Sequence, residues 1–341
     1  MNNDIIFEVK NNLAIIRLNR PQALNALSAE MFIFLKEKLL HWQEDETIKA
    51  VLIRSNCEKA FCAGGDIRAI YQHKEQPVDN IHQYFQLEYD INKIIYNFSK
   101  PYIALIHGVT MGGGVGISTH ASHCVAADDL RWAMPETLIG FFPDVGVTCE
   151  LSRLPNSIGT YLALTGHTID TQTALELNLI THKVPHHFFD ALEKKLANTL
   201  FAPSDYDVVT DIIQFYSGLA SETQQHFPIK KIAACFSFQT VEEITQALKK
   251  DESEWAKTTY QQLLQRSPTS LKVTLQQLKY AQSKTLDEVI DMDLHISKIM
   301  LENHDFFEGI RAAIIDKDKN PHWKPAMLSE VTDQIVEKYF I

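Results

Sequence analysis

Tyr102-Ile103-Ala104-Leu105-Ile106-His107 runs directly into Gly108-Val109-Thr110-Met111-Gly112-Gly113-Gly114-Val115-Gly116. The first six residues are apolar and β-rich, so they read as a strand; a helix is expected to start inside Met111 to Gly116. A second such turn, Ala60-Phe61-Cys62-Ala63-Gly64-Gly65-Asp66, follows the strand Ala50 to Arg54, with Glu58 to Asp66 read as a loop. Working outward, Ile5 to Val9 and Leu13 to Leu18 form an N-terminal hairpin. Ser28 caps a helix whose Met31, Phe34, Leu35, Leu39 and Trp42 recur at helical spacing, and a further helix covers Ile81 to Phe98. Strands separated by helical crossovers pair in parallel, so the core is α/β. From Phe189 onward helical periodicity dominates, as in Val241 to Leu248, Trp255 to Leu264 and Leu271 to Tyr280. The expected division is an α/β core with the active site over 1–200 and a helical C-terminal region over 201–341, with a boundary near Pro203-Ser204-Asp205.

The 341 residues are 45% hydrophobic and 22% charged, an ordinary globular composition. Subtracting 43 acidic from 32 basic residues gives a net charge of -11, which disfavours nucleic acid and anionic lipid as partners. No apolar run approaches the ~20 residues that span a bilayer. The first residues, MNNDIIFEVKNN, lack the pattern of a signal or transit peptide, so the expected location is the cytoplasm. Five cysteines at wide spacings suit reduced thiols.

Neither glycine turn matches GxGxxG or GxxxxGK[ST], so the dinucleotide and P-loop readings lose their main support. What remains is a strand-loop-helix turn that bares backbone N–H groups, suited to a developing oxyanion. Glycine also simply permits tight turns. Two such turns after two parallel strands favour the functional reading, because ligands of α/β sheets gather at the strands' carboxyl ends, so both turns are expected to face one crevice. Downstream, Glu136 and Asp144 stand in the apolar stretch Met134 to Gly146. Apolar neighbours raise a carboxyl's proton affinity towards that of a general acid or base; a helix cap and a turn are the plainer roles. The HxxxH spacing at His182 and His186 contains Pro185 and no adjacent Glu, which argues against a zinc pair. Ser118 lacks a GxSxG context.

Four segments in order, Asn19-Arg20-Pro21 with Ala23-Leu24-Asn25-Ala26-Leu27, Ala60 to Asp66, Gly108 to Gly116 and Met134-Pro135-Glu136, resemble the crotonase, or enoyl-CoA hydratase/isomerase, superfamily. The resemblance implies a crotonase fold of repeated ββα units, an acyl-CoA substrate, and no metal or redox cofactor. It implies that the N–H groups of Gly65 and Gly113 form an oxyanion hole and that Arg68 lies near the CoA phosphates. It also places Gln22, Ala23, Leu24 and Asp66 among the substrate-binding residues. Hydratases of the family carry a second glutamate at the Gly116 position and glycine at the Asp144 position. The exchange found here, with Phe142-Pro143-Asp144-Val145-Gly146, resembles the 3-hydroxyisobutyryl-CoA hydrolase branch. Glu88-Tyr89, Ser267 to Lys272 and Asp305 to Ala312 extend the likeness along nearly the whole chain, and Val147-Thr148-Cys149 departs from it. The implied reaction is hydrolysis of a short 3-hydroxyacyl-CoA, as in valine breakdown, with Glu136 and Asp144 catalytic and Glu88 hydrogen-bonding in the acyl pocket. The alternatives are an enoyl-CoA hydratase or isomerase and a non-catalytic acyl-CoA-binding protein. Relatives commonly form trimers; a homo-oligomer stays open here, because the long C-terminal helical part competes for the same surface.

Overall fold

The computed structural model describes residues 3–199, 206–220 and 227–341. They form two compact units, each discontinuous in sequence: 1–65, 90–133 and 168–226 make up the first, and 66–89, 134–167 and 227–341 the second. This differs from the expected division at 200/201, and the boundary expected at Pro203-Ser204-Asp205 lies outside the described residues. The excursions 66–89 and 134–167 group with C-terminal helices rather than with the sheets: the turn Glu136–Ile139 packs on the helix His304–Ile310, and the helix Thr148–Leu151 on Pro268–Ala281.

The first unit holds nine strands among its described residues: β1 Ile5–Lys10, β2 Leu13–Leu18, β3 Ala50–Ser55, β4 Ala60–Cys62, β5 Tyr102–Ile106, β6 Val109–Met111, β7 His123–Ala126, β8 Arg131–Ala133 and β9 His182–Lys183. The large sheet has the order β1-β2-β3-β5-β7-β9, antiparallel only at the β1/β2 hairpin. The small sheet, β4-β6-β8, is parallel. The chain deals successive strands alternately to the two sheets, β3 then β4 and β5 then β6, each pair followed by a helix; this is the repeated ββα order. Sequence reading missed β4, because three residues beside a glycine turn are too few to show a period.

Leu13 and Ile15, Ala50 and Leu52, and Ile103 and Leu105 alternate onto one face of the large sheet. There they meet Phe189, Leu192 and Leu196, and Val209 and Ile213, which recur at helical spacing on the helices Phe189–Ala197 and Tyr206–Ser217. The intervening Ala14, Ile16, Val51 and Ile53 are also fully buried, as a parallel sheet covered on both faces requires. Ser28 caps the helix Ala29–Glu44 by accepting from the Met31 N–H, and Phe32 and Trp42, not Phe34, are the buried aromatics of that helix.

In the second unit the regular elements among the described residues are helices. Capping boxes at Thr240/Glu243 and Thr285/Glu288 start the helices Val241–Lys250 and Leu286–Glu302. The helix Val78–Tyr96 groups with this unit up to Tyr89 and with the first from Asp90. Among the described residues no helix is long and apolar enough to cross a membrane.

Candidate active site

Within the first unit, β4 and β6 are parallel neighbours, so the turns that leave them are brought together. At Gly64 the backbone takes φ +110°, and a Cβ there would lie 3.3 Å from the Met111 carbonyl oxygen and 3.6 Å from the Gly113 nitrogen. The positive φ is what calls for glycine here, and the Met111 oxygen leaves a side chain little room. Gly113 is the first residue of the helix Gly113–Thr119, so its N–H points out of the helix start with no partner inside it. Among the described residues no acceptor lies on the Gly65 or the Gly113 N–H. The two glycine turns thus leave two backbone N–H groups without acceptors, among the described residues, at the exits of neighbouring parallel strands. The segment holding Ala23 and Leu24 lies alongside: the Leu24 carbonyl accepts from the Ala63 N–H at 3.0 Å, and the Leu27 N–H donates to the Gly64 carbonyl at 2.9 Å. Gln22 is exposed, Ala23 and Leu24 half-buried. Asn25 fixes this loop from inside, donating to Ser55 Oγ and the Phe61 carbonyl.

Within the second unit, Glu88, Glu136 and Asp144 are all buried, at 3%, 8% and 5% exposure. Glu136 opens the turn Glu136–Ile139, which the bare backbone of Gly309 holds in place: a Cβ on Gly309 would overlap the Ile139 carbonyl. Its Oε2 is buried without a hydrogen-bond partner among the described residues. Burial, then the Asp144 charge, pushes the Glu136 carboxyl well above the usual range. The same two causes raise Glu88. Burial pushes Asp144 up to about 7, against the hydrogen bond it accepts from the Tyr89 hydroxyl at 2.7 Å. Three carboxyls in one apolar region cannot all ionise near neutrality, so the group retains protons there. Such a cluster can take a proton, give one back and hold a polar group between its members.

Asp66 caps the helix Ile67–Gln72 by accepting from the Ala69 N–H, and its own N–H donates to the Tyr84 hydroxyl. Arg68 is exposed and donates to the Ile314 carbonyl at 3.3 Å. Sequence reading gave no role to the Tyr89 hydroxyl and did not single out Asp293 or Gln277. Asp293 is fully buried and accepts from the Gly146 N–H. The available signal was its place in the apolar stripe Leu286, Val289, Ile290, Ile296 and Met300.

These carboxyls bind protons more tightly folded than unfolded, so the linkage has a definite sign. The stability they contribute is present below about pH 4 and is lost as pH rises through about 7, the Asp144 value. Glu88→Gln removes one such group and is expected to raise stability at pH 8 while flattening its dependence between pH 4 and 8. Urea denaturation across that range checks it, and a Glu88→Gln protein no more stable than wild type at pH 8 would overturn the assignment.

The sequence matches the Enoyl-CoA hydratase/isomerase family over residues 13–340. It is 41% identical over 343 residues to a mitochondrial 3-hydroxyisobutyryl-CoA hydrolase of Bos taurus and 39% over 341 residues to that of Homo sapiens; each alignment covers 99% of this chain and 88% of the relative. Among solved structures, a carnitinyl-CoA dehydratase from Mycobacterium thermoresistibile superposes with a TM-score of 0.89 at 32% identity, covering 100% of this chain and 97% of that one. An enoyl-CoA hydratase from Rhodobacter sphaeroides 2.4.1 gives 0.90 at 30%, covering 99% and 97%. The matched span and the repeated ββα order agree: the chain belongs to the enoyl-CoA hydratase/isomerase, or crotonase, family.

Proposed function

We propose that this chain hydrolyses a short 3-hydroxyacyl-CoA thioester, with 3-hydroxyisobutyryl-CoA as its leading substrate. The observation that carries the reading is the buried group of Glu88, Glu136 and Asp144, with Asp144 accepting from Tyr89. The Gly65 and Gly113 N–H groups polarise the thioester carbonyl and hold the oxyanion; one such donor is typically worth ~3 kcal/mol in acyl transfer. Glu136 either takes a proton from water as that water attacks, or attacks the carbonyl itself to give a mixed anhydride that water then opens. In both routes the C–S bond breaks, a C–O bond forms, and the proton taken from water balances the departing CoA thiolate. Asp144 orients the substrate hydroxyl or the water, and Glu88 hydrogen-bonds beside it. Arg68 serves the CoA phosphates, and Gln22, Ala23, Leu24 and Asp66 the rest of the CoA arm.

The two solved relatives are titled as a dehydratase and a hydratase, chemistry that in this family uses a second glutamate at the Gly116 position. Here that position is a buried glycine inside the helix Gly113–Thr119, with no side chain to act. The curated relatives are named hydrolases, which supports thioester cleavage. Their names also place them in mitochondria; for this chain the cytoplasm is the proposed location, tested by cell fractionation.

Thiol release from 3-hydroxyisobutyryl-CoA and 3-hydroxypropionyl-CoA, with crotonyl-CoA run alongside, tests the reaction. One CoA thiol per hydroxyacyl ester consumed, with crotonyl-CoA untouched, is the expected result. Loss of enoyl absorbance without thiol release would instead establish a hydratase or isomerase, and acyl-CoA binding without either would leave a binding protein.

A further inference from the structure

Asp144 stands in a turn whose backbone Val145 does not favour. Val145, β-branched, takes φ +55°, and Gly146 follows at φ +77°. A left-handed valine is a genuine outlier that persists only where its surroundings over-determine it. The surroundings here are two buried side chains from the C-terminal helices. Gln277, on Pro268–Ala281, donates from Nε2 to the Pro143 carbonyl at 3.0 Å and to Asp293 Oδ1 at 2.7 Å. Asp293, on Leu286–Glu302, accepts the Gly146 N–H on Oδ2 at 2.9 Å. Both side chains are fully buried. The carbonyl before Asp144 and the amide two residues after it are therefore tied to one hydrogen-bonded pair, while Tyr89 fixes the carboxylate itself.

Asp293 occupies a position at which its helix otherwise buries Val289, Ile290 and Ile296. An apolar residue would pack there without the cost of burying a carboxyl. Both of its oxygens accept, and both bonds lead to the Asp144 turn. We propose that Asp293 is a positioning residue for Asp144, acting with Gln277 as a clamp across Pro143–Gly146 that holds the left-handed turn and presents the Asp144 carboxylate in a single orientation. The role in catalysis rests on the thioester-hydrolase reading; the clamp itself does not.

Asp293→Asn keeps the shape but turns an amide N–H₂ towards the Gln277 N–H₂, so one clamp bond must break. Gln277→Met removes both bonds that Gln277 donates without changing charge. Each is expected to lower kcat for 3-hydroxyisobutyryl-CoA hydrolysis at least tenfold while KM stays near wild type, a split that a general loss of folded protein would not produce. The groups electrostatically linked to Asp144 are Glu88 and Tyr89, Glu136 and Asp293, with Glu150 acting on Asp293. Burial, not Asp293, raises Asp144, while burial and the Asp144 charge raise Asp293, so the acid limb of kcat/KM is expected to stay in place in both variants while kcat falls. Folded variants with wild-type kcat would overturn the positioning role. Hydrogen exchange of the Gly146 amide is read in parallel, and the clamp predicts at least tenfold faster exchange in both variants. Unchanged exchange overturns the clamp whatever the activity. A wild-type protein that releases no thiol, with variants that exchange faster, would overturn the functional reading and leave the clamp standing.

Discussion

Glu136→Gln lowers turnover of the hydroxyacyl-CoA ester by about 10²–10⁴-fold, the span a general base typically supplies, and leaves KM near its wild-type value. The glutamine fills the same space at the head of the Glu136–Ile139 turn, so the Gly309 contact that holds that turn is kept. What it loses is the ability to take a proton or to attack a carbonyl. The carboxyl it replaces has one buried oxygen without a partner and a proton affinity raised first by burial and then by Asp144. That combination has no structural use: no cap, ion pair or hydrogen bond among the described residues employs Oε2. It is the condition expected of a group whose partner arrives with the substrate. The substitution should also raise stability above about pH 7, because it removes a carboxyl that folding protonates. A variant slower by orders of magnitude yet no less stable separates a catalytic from a structural glutamate, and thiol release with thermal melting reads both. Full turnover in Glu136→Gln would remove the residue from the mechanism. Rapid quenching of wild type then divides the two routes, since an acyl adduct on Glu136 forms only if it is the nucleophile.

The parts of the site visible in the sequence are those whose chemistry is local. Gly64, Gly65 and the run Gly112-Gly113-Gly114 stand where a chain entering a helix should carry side chains, and the structure brings both turns together because β4 and β6 pair. Glu136 and Asp144 were visible because each interrupts an apolar run. Long strands and periodic helices were visible too: Val78–Tyr96 and Pro268–Ala281 differ from expectation only at their ends. What did not show depends on contacts between distant segments. The Tyr89 hydroxyl finds Asp144 across 55 positions of sequence, and Asp293 finds the Gly146 amide across 147. In sequence, Asp293 is one acid among Asp287, Glu288 and Asp291, and only its phase on the helix sets it apart. The grouping of 66–89 and 134–167 with the C-terminal helices was hidden for the same reason, since composition changes at neither end of these excursions.

Gly114→Ala should damage activity and stability together. At that position a Cβ would overlap the Cys62 carbonyl oxygen and stand 2.8 Å from the Cys62 Cβ. The obstacle on both sides is backbone or its first side-chain atom, so no rotamer change relieves it; either the start of the helix Gly113–Thr119 or the end of β4 must move. Overpacking of this kind typically costs about 1–3 kcal/mol. The catalytic loss is expected to be larger than stability alone explains. Gly113 is the neighbour of the substituted residue and Gly65 follows β4 closely, so a shift on either side displaces one of the two donors. Catalytic groups tolerate only about 0.5 Å of misplacement, and loss of one oxyanion donor costs about 10²–10³ in kcat. The expected outcome is a fall in kcat of about 10² or more, with a lower melting temperature and a smaller change in KM. Gly218→Ala is the control: its Cβ would meet only ordinary contacts, 3.6 and 3.7 Å from the Gln214 and Phe215 carbonyl oxygens, and should leave kcat unchanged. If Gly114→Ala melts lower but turns over at the wild-type rate, the helix start has moved without consequence for the chemistry, and the Gly113 N–H is not an oxyanion donor.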